Sequence, residues 1–268
     1  MFITFLSDFG LQDEYVGTCH GVIKLIAPEA DVIDITHGIE PQRVLQGALV
    51  LANTLPYMPT GVHLAVVDPG VGSQRRALAL LSGDGRFFVG PDNGLLLPAA
   101  ERLGGITAAH ELTNPEFALP SVSRTFHGRD LFAPAAAHVA LGITLDRLGP
   151  PLDPDALVRV EFPDPEIDPG AIRATVLDVD RFGNLELNLT RDHLQRGGAI
   201  AGTQVELEYL GERYYAVVAR TFADARPGEL ILYEDSYRWI SVAISEGSAC
   251  ELLVLAPGDE LVIHLPLP

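Results

Sequence analysis

Positive charge is scarce in this chain, and one form of it is nearly missing. Lys24 is the only lysine among 18 basic residues, which face 36 acidic ones. The resulting net charge of −18 repels nucleic acid and anionic membranes, so neither is expected as a partner. Cysteine is scarce too. Cys19 and Cys250 lie far apart and fit neither a disulfide framework nor a metal motif, which leads to the expectation of two unpaired thiols in a reduced, cytoplasmic protein. No apolar run approaches the roughly 20 residues of a membrane span. The N-terminus is apolar but short, without a basic flank or small-residue cleavage site, and reads as a first strand. The eight histidines include no His-x-x-x-His pair, and there is no Cys-x-x-Cys, so no metal and no cofactor are expected. The Gly-x-Ser-x-Gly elbow of serine hydrolases is missing as well.

What is present is enough chain, 268 residues, for two well-buried domains. The first half alternates strand and helix signals. Strands are expected at 2–6, 31–35, 62–67, 77–81 and 87–89, and helices at 15–26, from Pro41 to about Tyr57, and at 130–141. That pattern predicts a mostly parallel sheet with flanking helices over residues 1–150. Prolines then crowd a linker at 151–170. Beyond it, short strands at 171–179, 203–209, 212–218, 230–233, 239–243 and 251–255 predict an all-β, barrel-like domain over 171–268.

Three inferred strands end in polar residues followed by a chain-breaking residue: Ser7-Asp8-Phe9-Gly10, Thr36-His37-Gly38 and Asp68-Pro69-Gly70. The carboxyl ends of parallel strands are where such sheets bind ligands. The loop from Asp68 to Arg76 is glycine-rich but lacks the Gly-Lys-Ser/Thr ending of a P-loop. It reads either as a turn with surface arginines or as the rim of a pocket holding Asp68 and Arg75. His127 lies in Phe126-His127-Gly128-Arg129-Asp130 ahead of a helix that Asp130 would cap. Pro91-Asp92-Asn93-Gly94 is a plain turn signal. In the second half, Asp180-Arg181-Phe182-Gly183-Asn184 reads as a hairpin turn with a core phenylalanine. Alternatively, its ring and polar groups suit a purine nucleoside.

Taken in order, Ser7-Asp8-Phe9-Gly10, Asp34-Ile35-Thr36-His37, Val67-Asp68-Pro69-Gly70-Val71-Gly72, Gly90-Pro91-Asp92-Asn93-Gly94, Phe126-His127-Gly128-Arg129-Asp130 and Phe182-Gly183-Asn184 resemble the S-adenosylmethionine (SAM) hydrolases. These are also called SAM hydroxide adenosyltransferases, relatives of the fluorinating and chlorinating SAM enzymes. The resemblance spans essentially the whole chain. It implies hydrolysis of SAM to adenosine and methionine, and a homotrimer with sites between the N-terminal domain of one subunit and the C-terminal domain of the next. Carried over by motif, Asp68, Arg75 and His127 hold the attacking water, and Asp8 holds the ribose hydroxyls. Asp180 and Asn184 bind the methionine part beside Phe182, Ser236 reaches the methionine carboxylate, and the backbone at Ser245-Glu246 meets adenine. The chain departs from the halogenating relatives, which have tyrosine at the position of Asp68, Ser-Arg at Ser236-Tyr237 and Arg-Asn-Ala at Ile244-Ser245-Glu246.

The chemistry implied is displacement at the ribose C5′ carbon. A sulfonium leaves as a neutral sulfide and needs no general acid. Asp68 can accept a proton, whereas Arg75 stays protonated and can only stabilise charge. His127 would orient the water or relay its proton. Three rivals stand beside hydrolysis: halide transfer from the same substrate, non-catalytic binding of SAM or adenosine, and a metal-dependent phosphohydrolase built on the many aspartates.

Overall fold

The computed structural model describes residues 1–266, and the chain divides into two compact units, Met1–Val160 and a second beginning at Glu161. The last two residues of the expected second domain, 267 and 268, lie outside the described residues.

The first unit runs β1 (Phe2–Ser7), α1 (Tyr15–Ile26), β2 (Asp31–Thr36), α2 (Val44–Thr54), β3 (Gly61–Val66), β4 (Ala77–Ser82), β5 (Phe87–Pro91), α3 (Leu97–Arg102), β6 (Ile106–Glu111), α4 (Ala133–Ala140) and α5 (Leu145–Leu148). Its sheet has the order β2-β1-β3-β5-β4-β6. The pairs β1–β2, β1–β3 and β3–β5 are parallel, and only β4 runs against its neighbours. The mostly parallel α/β reading therefore holds. Helix α1 packs with α4 and α2 with α3, and β1, β3 and β5 meet α4 in the main core. Strand β3 is buried at all six positions, which is why it reads as an unbroken apolar run. His63 within it is a core residue that shares a 2.8 Å hydrogen bond with Thr4 Oγ1. Burial holds its pKa down to about 3, so it stays neutral.

The chain turns from β2 on one side of β1 to β3 on the other, which makes the carboxyl end of β1 a topological switch point. Asp8 follows directly.

Two helix boundaries differ from expectation. The helix expected from Pro41 begins at Val44, because Gln42 takes φ +68° and turns its amide onto the Asp8 carboxylate at 2.9 Å. The helix expected over 130–141 is α4, preceded by a wide π-type turn at Gly128–Phe132. Asp130 therefore caps nothing. Its fully buried carboxylate accepts the Ser123 amide at 2.7 Å and the Arg129 guanidinium. Burial raises its pKa, but these bonds outweigh it and hold the group ionised.

The proline-rich stretch enters the first unit at its start. Leu152 donates to Ala109 O at 2.8 Å, and Val158 to Asp92 Oδ1 at 2.9 Å.

The second unit contains β7 (Glu166–Asp168), β8 (Ala171–Val179), β9 (Leu185–Thr190), α6 (Arg191–Arg196), β10 (Gln204–Tyr209), β11 (Glu212–Val218), β12 (Leu230–Glu234), β13 (Trp239–Ile244), α7 (Ala249–Leu253) and β14 (Glu260–His264). Strands β8-β9-β13-β12-β11-β10-β14 close through a β14–β8 pairing into a seven-stranded barrel, with β7 added beside β8. Period-two alternation fills the interior, as with Ile172, Ala174 and Val176 on β8 and Leu185, Leu187 and Leu189 on β9.

The strand expected at 251–255 is instead α7. Ser248 Oγ caps the Glu251 amide at 3.2 Å, and Val254 ends the helix in the left-handed conformation. Among the described residues no helix is long and apolar enough to cross a membrane.

Candidate active site

The loop after β3 is folded so that Arg75 returns to Asp68. Val71 donates to Asp68 O, Ser73 to Gly70 O, and Arg75 to Ser73 Oγ, giving two successive tight turns. Gly72, at φ +75°, is needed there, because a Cβ would stand 2.5 Å from Arg124 O. Arg75 Nε donates to Asp68 Oδ1 at 3.0 Å and Oδ2 at 3.1 Å, and Nη2 reaches Oδ2 as well. The same Nη2 donates to His127 Nδ1 at 2.9 Å. The guanidinium lies 5.0 Å from the ring centre of the buried Phe132. Both charged side chains are nearly sealed, Asp68 at 6% and Arg75 at 10% exposure, so this is a desolvated pair rather than a surface bridge.

Behind this loop, Asn93 Nδ2 donates to Val67 O at 2.8 Å, which supports the strand end that presents Asp68. Asp92 is occupied by Arg76 at 2.7 Å and is structural.

Asp8, Asp68 and His127 line one small cavity of about 70 Å³ with Phe9 and Phe126. Gly128 is forced to be glycine there, since a Cβ would lie 2.8 Å from the Phe9 ring. Burial pushes the Asp8 carboxyl above its ordinary value. The Gln42 and Asp8 amides pull the other way, and the charge of Asp68 adds to the rise. Burial and then the Arg75 charge lower the pKa of His127, while Asp68, Asp130 and a bond to the Ser123 backbone oppose them.

In the second unit Asp180 holds its own turn. Oδ1 accepts the amides of Phe182 at 2.8 Å and Asn184 at 3.0 Å, and Oδ2 accepts Asn184 Nδ2 at 2.8 Å. Gly183 at φ +80° passes close to Ser248. The hairpin reading is right, but Phe182 is not core: it is 71% exposed.

A cavity of about 720 Å³ is lined by Asp180, Phe182, Asn184, Ser245 and Glu246, together with Phe222, Tyr233 and others. A second, of about 370 Å³, shares Asp180, Asn184, Phe222 and Tyr233 and adds Ser236, Tyr237 and Ser241 with the acids Asp178, Glu186 and Asp235. Phe222 and Tyr233 meet in a tilted contact with ring centres 4.8 Å apart. Burial and the nearby Asp180 and Asp235 push the Tyr233 phenol up to about 12.

All ten sequence-derived residues thus fall into two groups, Asp8, Asp68, Arg75 and His127 on the first unit and the other six on the second. Phe222 and Tyr233 carry no motif, and Asp235 precedes Ser236 in Asp235-Ser236-Tyr237-Arg238 without a role read for it. Alternation on β12 puts Leu230 and Leu232 in the core and Tyr233 on the other face, which is the signal that could have pointed to Tyr233.

Residues 3–149 match the SAM hydroxide adenosyltransferase N-terminal domain, and residues 174–262 match its C-terminal domain. The chain belongs to the SAM hydroxide adenosyltransferase family. Within or near that family, it is 49% identical over 259 residues to an (R)-S-adenosyl-L-methionine hydrolase of Salinispora arenicola, covering 97% of this chain and 96% of that protein. It is 29% identical over 268 residues to a fluorinase of an Actinoplanes species, covering 90% of each. A crystal structure of an uncharacterized conserved protein from Thermotoga maritima matches with a TM-score of 0.91 and 36% identity, over 98% of this chain and 99% of that one.

Proposed function

We propose that this chain hydrolyses S-adenosyl-L-methionine to adenosine and L-methionine, by in-line attack of water or hydroxide at ribose C5′. The observation that carries the reading is the continuous chain Asp68–Arg75–His127, whose two ends, Asp68 and His127, line a cavity with Asp8 at the switch point of a mostly parallel sheet. The C5′–O bond forms as the C5′–S bond breaks, the electron pair leaves with sulfur, and one proton must be taken up. Asp68 is the acceptor. Arg75 cannot be one, and its fixed charge stabilises the oxygen as negative charge develops.

His127 is a positioning residue. Its Nδ1 accepts from Arg75, so that nitrogen carries no proton and its lone pair is occupied. The ring holds the guanidinium from one side while Asp68 holds it from the other.

On the second unit, the six residues that line the cavities receive adenine and the methionine part. The four acids Asp178, Asp180, Glu186 and Asp235 suit a substrate carrying an ammonium and a sulfonium. A carboxylate at position 68 disfavours halide as nucleophile, which separates this reading from halide transfer. The relatives' name specifies the R configuration at sulfur, and the same preference is carried to this chain. A cytoplasmic setting fits the free thiols of Cys19 and Cys250.

The assembly proposed is a homotrimer in which the first unit of one subunit and the second unit of the next complete each site. Mixing refolded Asp68→Asn and Asn184→Ala chains, assayed at a SAM concentration too low for the Asn184→Ala chain to turn over measurably alone, tests it. Random trimers should regain about a quarter of wild-type activity, and no recovery would reject shared sites. The activity itself is tested by incubating the chain with epimeric SAM, with and without chelator. Adenosine and methionine should form in equal amounts from the R epimer, insensitive to chelator. Unchanged SAM from folded protein would overturn the proposal.

A further inference from the structure

Away from the Asp68 cage, a histidine of α1 meets an aspartate–histidine pair three residues apart on the first unit. His20 comes from α1, Asp34 from β2, and His37 from the turn after β2. We propose that His20 Nε2, Asp34 Oδ1 and His37 Nε2 form a binding site for one divalent first-row transition-metal ion of the zinc type.

The donor atoms lie within 4.8 Å of one another. Asp34 Oδ1 is 2.8 Å from His20 Nε2 and 3.1 Å from His37 Nε2. Metal bonds of about 2.0–2.2 Å at tetrahedral or octahedral angles put neighbouring ligand atoms about 2.8–3.5 Å apart, so both separations fit edges of a coordination shell. His37 Nε2 is the second observation. It is buried and makes no hydrogen bond, although Asp34 Oδ1 stands 3.1 Å away. A buried ring nitrogen left unpaired is costly, and coordination satisfies it.

The other nitrogen, Nδ1, lies 2.7 Å from Ser7 Oγ, the outer-shell contact that fixes a ligating histidine. The His20 and Asp34 side chains are 33% and 40% exposed, which gives an ion a way in and leaves water the remaining positions. Two imidazoles and one carboxylate favour zinc-like ions over magnesium or calcium, which take mainly oxygen.

The second unit has a superficially similar group, Glu206, Glu208 and His264, but Arg213 already pairs with both glutamates at 3.0 and 3.5 Å. That group serves as the control. An ion at the His20–Asp34–His37 site would tie α1 to the end of β2. It would also steady the chain after Asp8, because Gly10 donates to His37 O at 2.8 Å. The inference does not depend on the hydrolytic reading.

The test is titration of chelator-stripped full-length chain with Co²⁺ alone, read by calorimetry and by d–d absorption. One Co²⁺ per chain should bind, be displaced by Zn²⁺ and not by Mg²⁺, and raise the melting temperature. His20→Ala, at a half-exposed position that leaves the fold intact by circular dichroism, and Asp34→Asn should each weaken binding at least about tenfold. Glu206→Gln/Glu208→Gln should leave binding unchanged. Absence of stoichiometric binding, binding that survives both His20→Ala and Asp34→Asn, or binding lost in the control variant would overturn the site.

Discussion

The two groups of candidate residues are built on opposite principles. On the first unit, the nearly buried carboxylate of Asp68 pairs with the Arg75 guanidinium and borders a cavity of about 70 Å³. On the second, a cavity of about 720 Å³ is bordered by an exposed aromatic ring and opens beside four acids. The first arrangement fixes charge where a small nucleophile must be positioned and desolvated. The second leaves room and surface for a large, flexible, cationic ligand. On the proposed function, chemistry and recognition fall to different domains with different folds, the strand ends of a mostly parallel sheet and a β-barrel.

If that division is right, substitutions on the two units should separate cleanly into effects on kcat and on KM. The largest change is expected for Asp68→Asn, which keeps the shape but removes the proton acceptor. The rate of adenosine release should fall about 10²–10⁴-fold while SAM binding by calorimetry is retained. Asparagine is the useful variant, because alanine would also leave Arg75 buried and unpaired. Arg75→Lys should cost about 10²–10³-fold in kcat, since a lysine cannot hold Asp68 by two nitrogens and His127 at once. Restoration of rate by lysine would break the assignment.

On the second unit, Phe182→Ala should raise KM about three- to tenfold with kcat nearly unchanged, as measured by initial rates. A collapse of kcat instead would erase the contrast between the units.

The smallest and sharpest effect is on pH. Burial and Arg75 lower the pKa of His127 below its ordinary 6.5, and the neutral ring is the working form. The rate should stay flat as pH falls through 6.5 and drop only below it, as the ring protonates and releases Arg75. The unfolded chain takes up that proton first, so this group's support for the fold also weakens as pH falls below 6.5. An acid limb at or above pH 6.5 in kcat would contradict the role given to His127.

The sequence revealed some features and concealed others for physical reasons. Helix α1 was readable to the residue, because its apolar positions recur at helical spacing over three turns. Strand β9, Leu-Glu-Leu-Asn-Leu-Thr, alternates as plainly as any strand yet went unassigned beside the stronger turn signal of Asp180–Asn184. Residues 251–255 misled because a short apolar run does not distinguish a strand from one capped helical turn. At the site, Asp8 and Asp68 were legible as strand ends, and neighbouring parallel strands bring such ends together. The start of α2 was not legible, because Gln42 is bent out of helical conformation by a contact 34 residues away in sequence. The His20–Asp34–His37 cluster was hidden for a similar reason: Asp34 and His37 are three residues apart, but only packing of α1 on β2 brings His20 to them.

The most direct test of a water held by Asp68 and delivered to C5′ is turnover in H₂¹⁸O containing molar chloride, with products resolved by mass spectrometry. The account predicts adenosine carrying one ¹⁸O at the 5′ position, unlabelled methionine, and no 5′-chloro-5′-deoxyadenosine. A chlorinated product, or adenosine without the label, would contradict it.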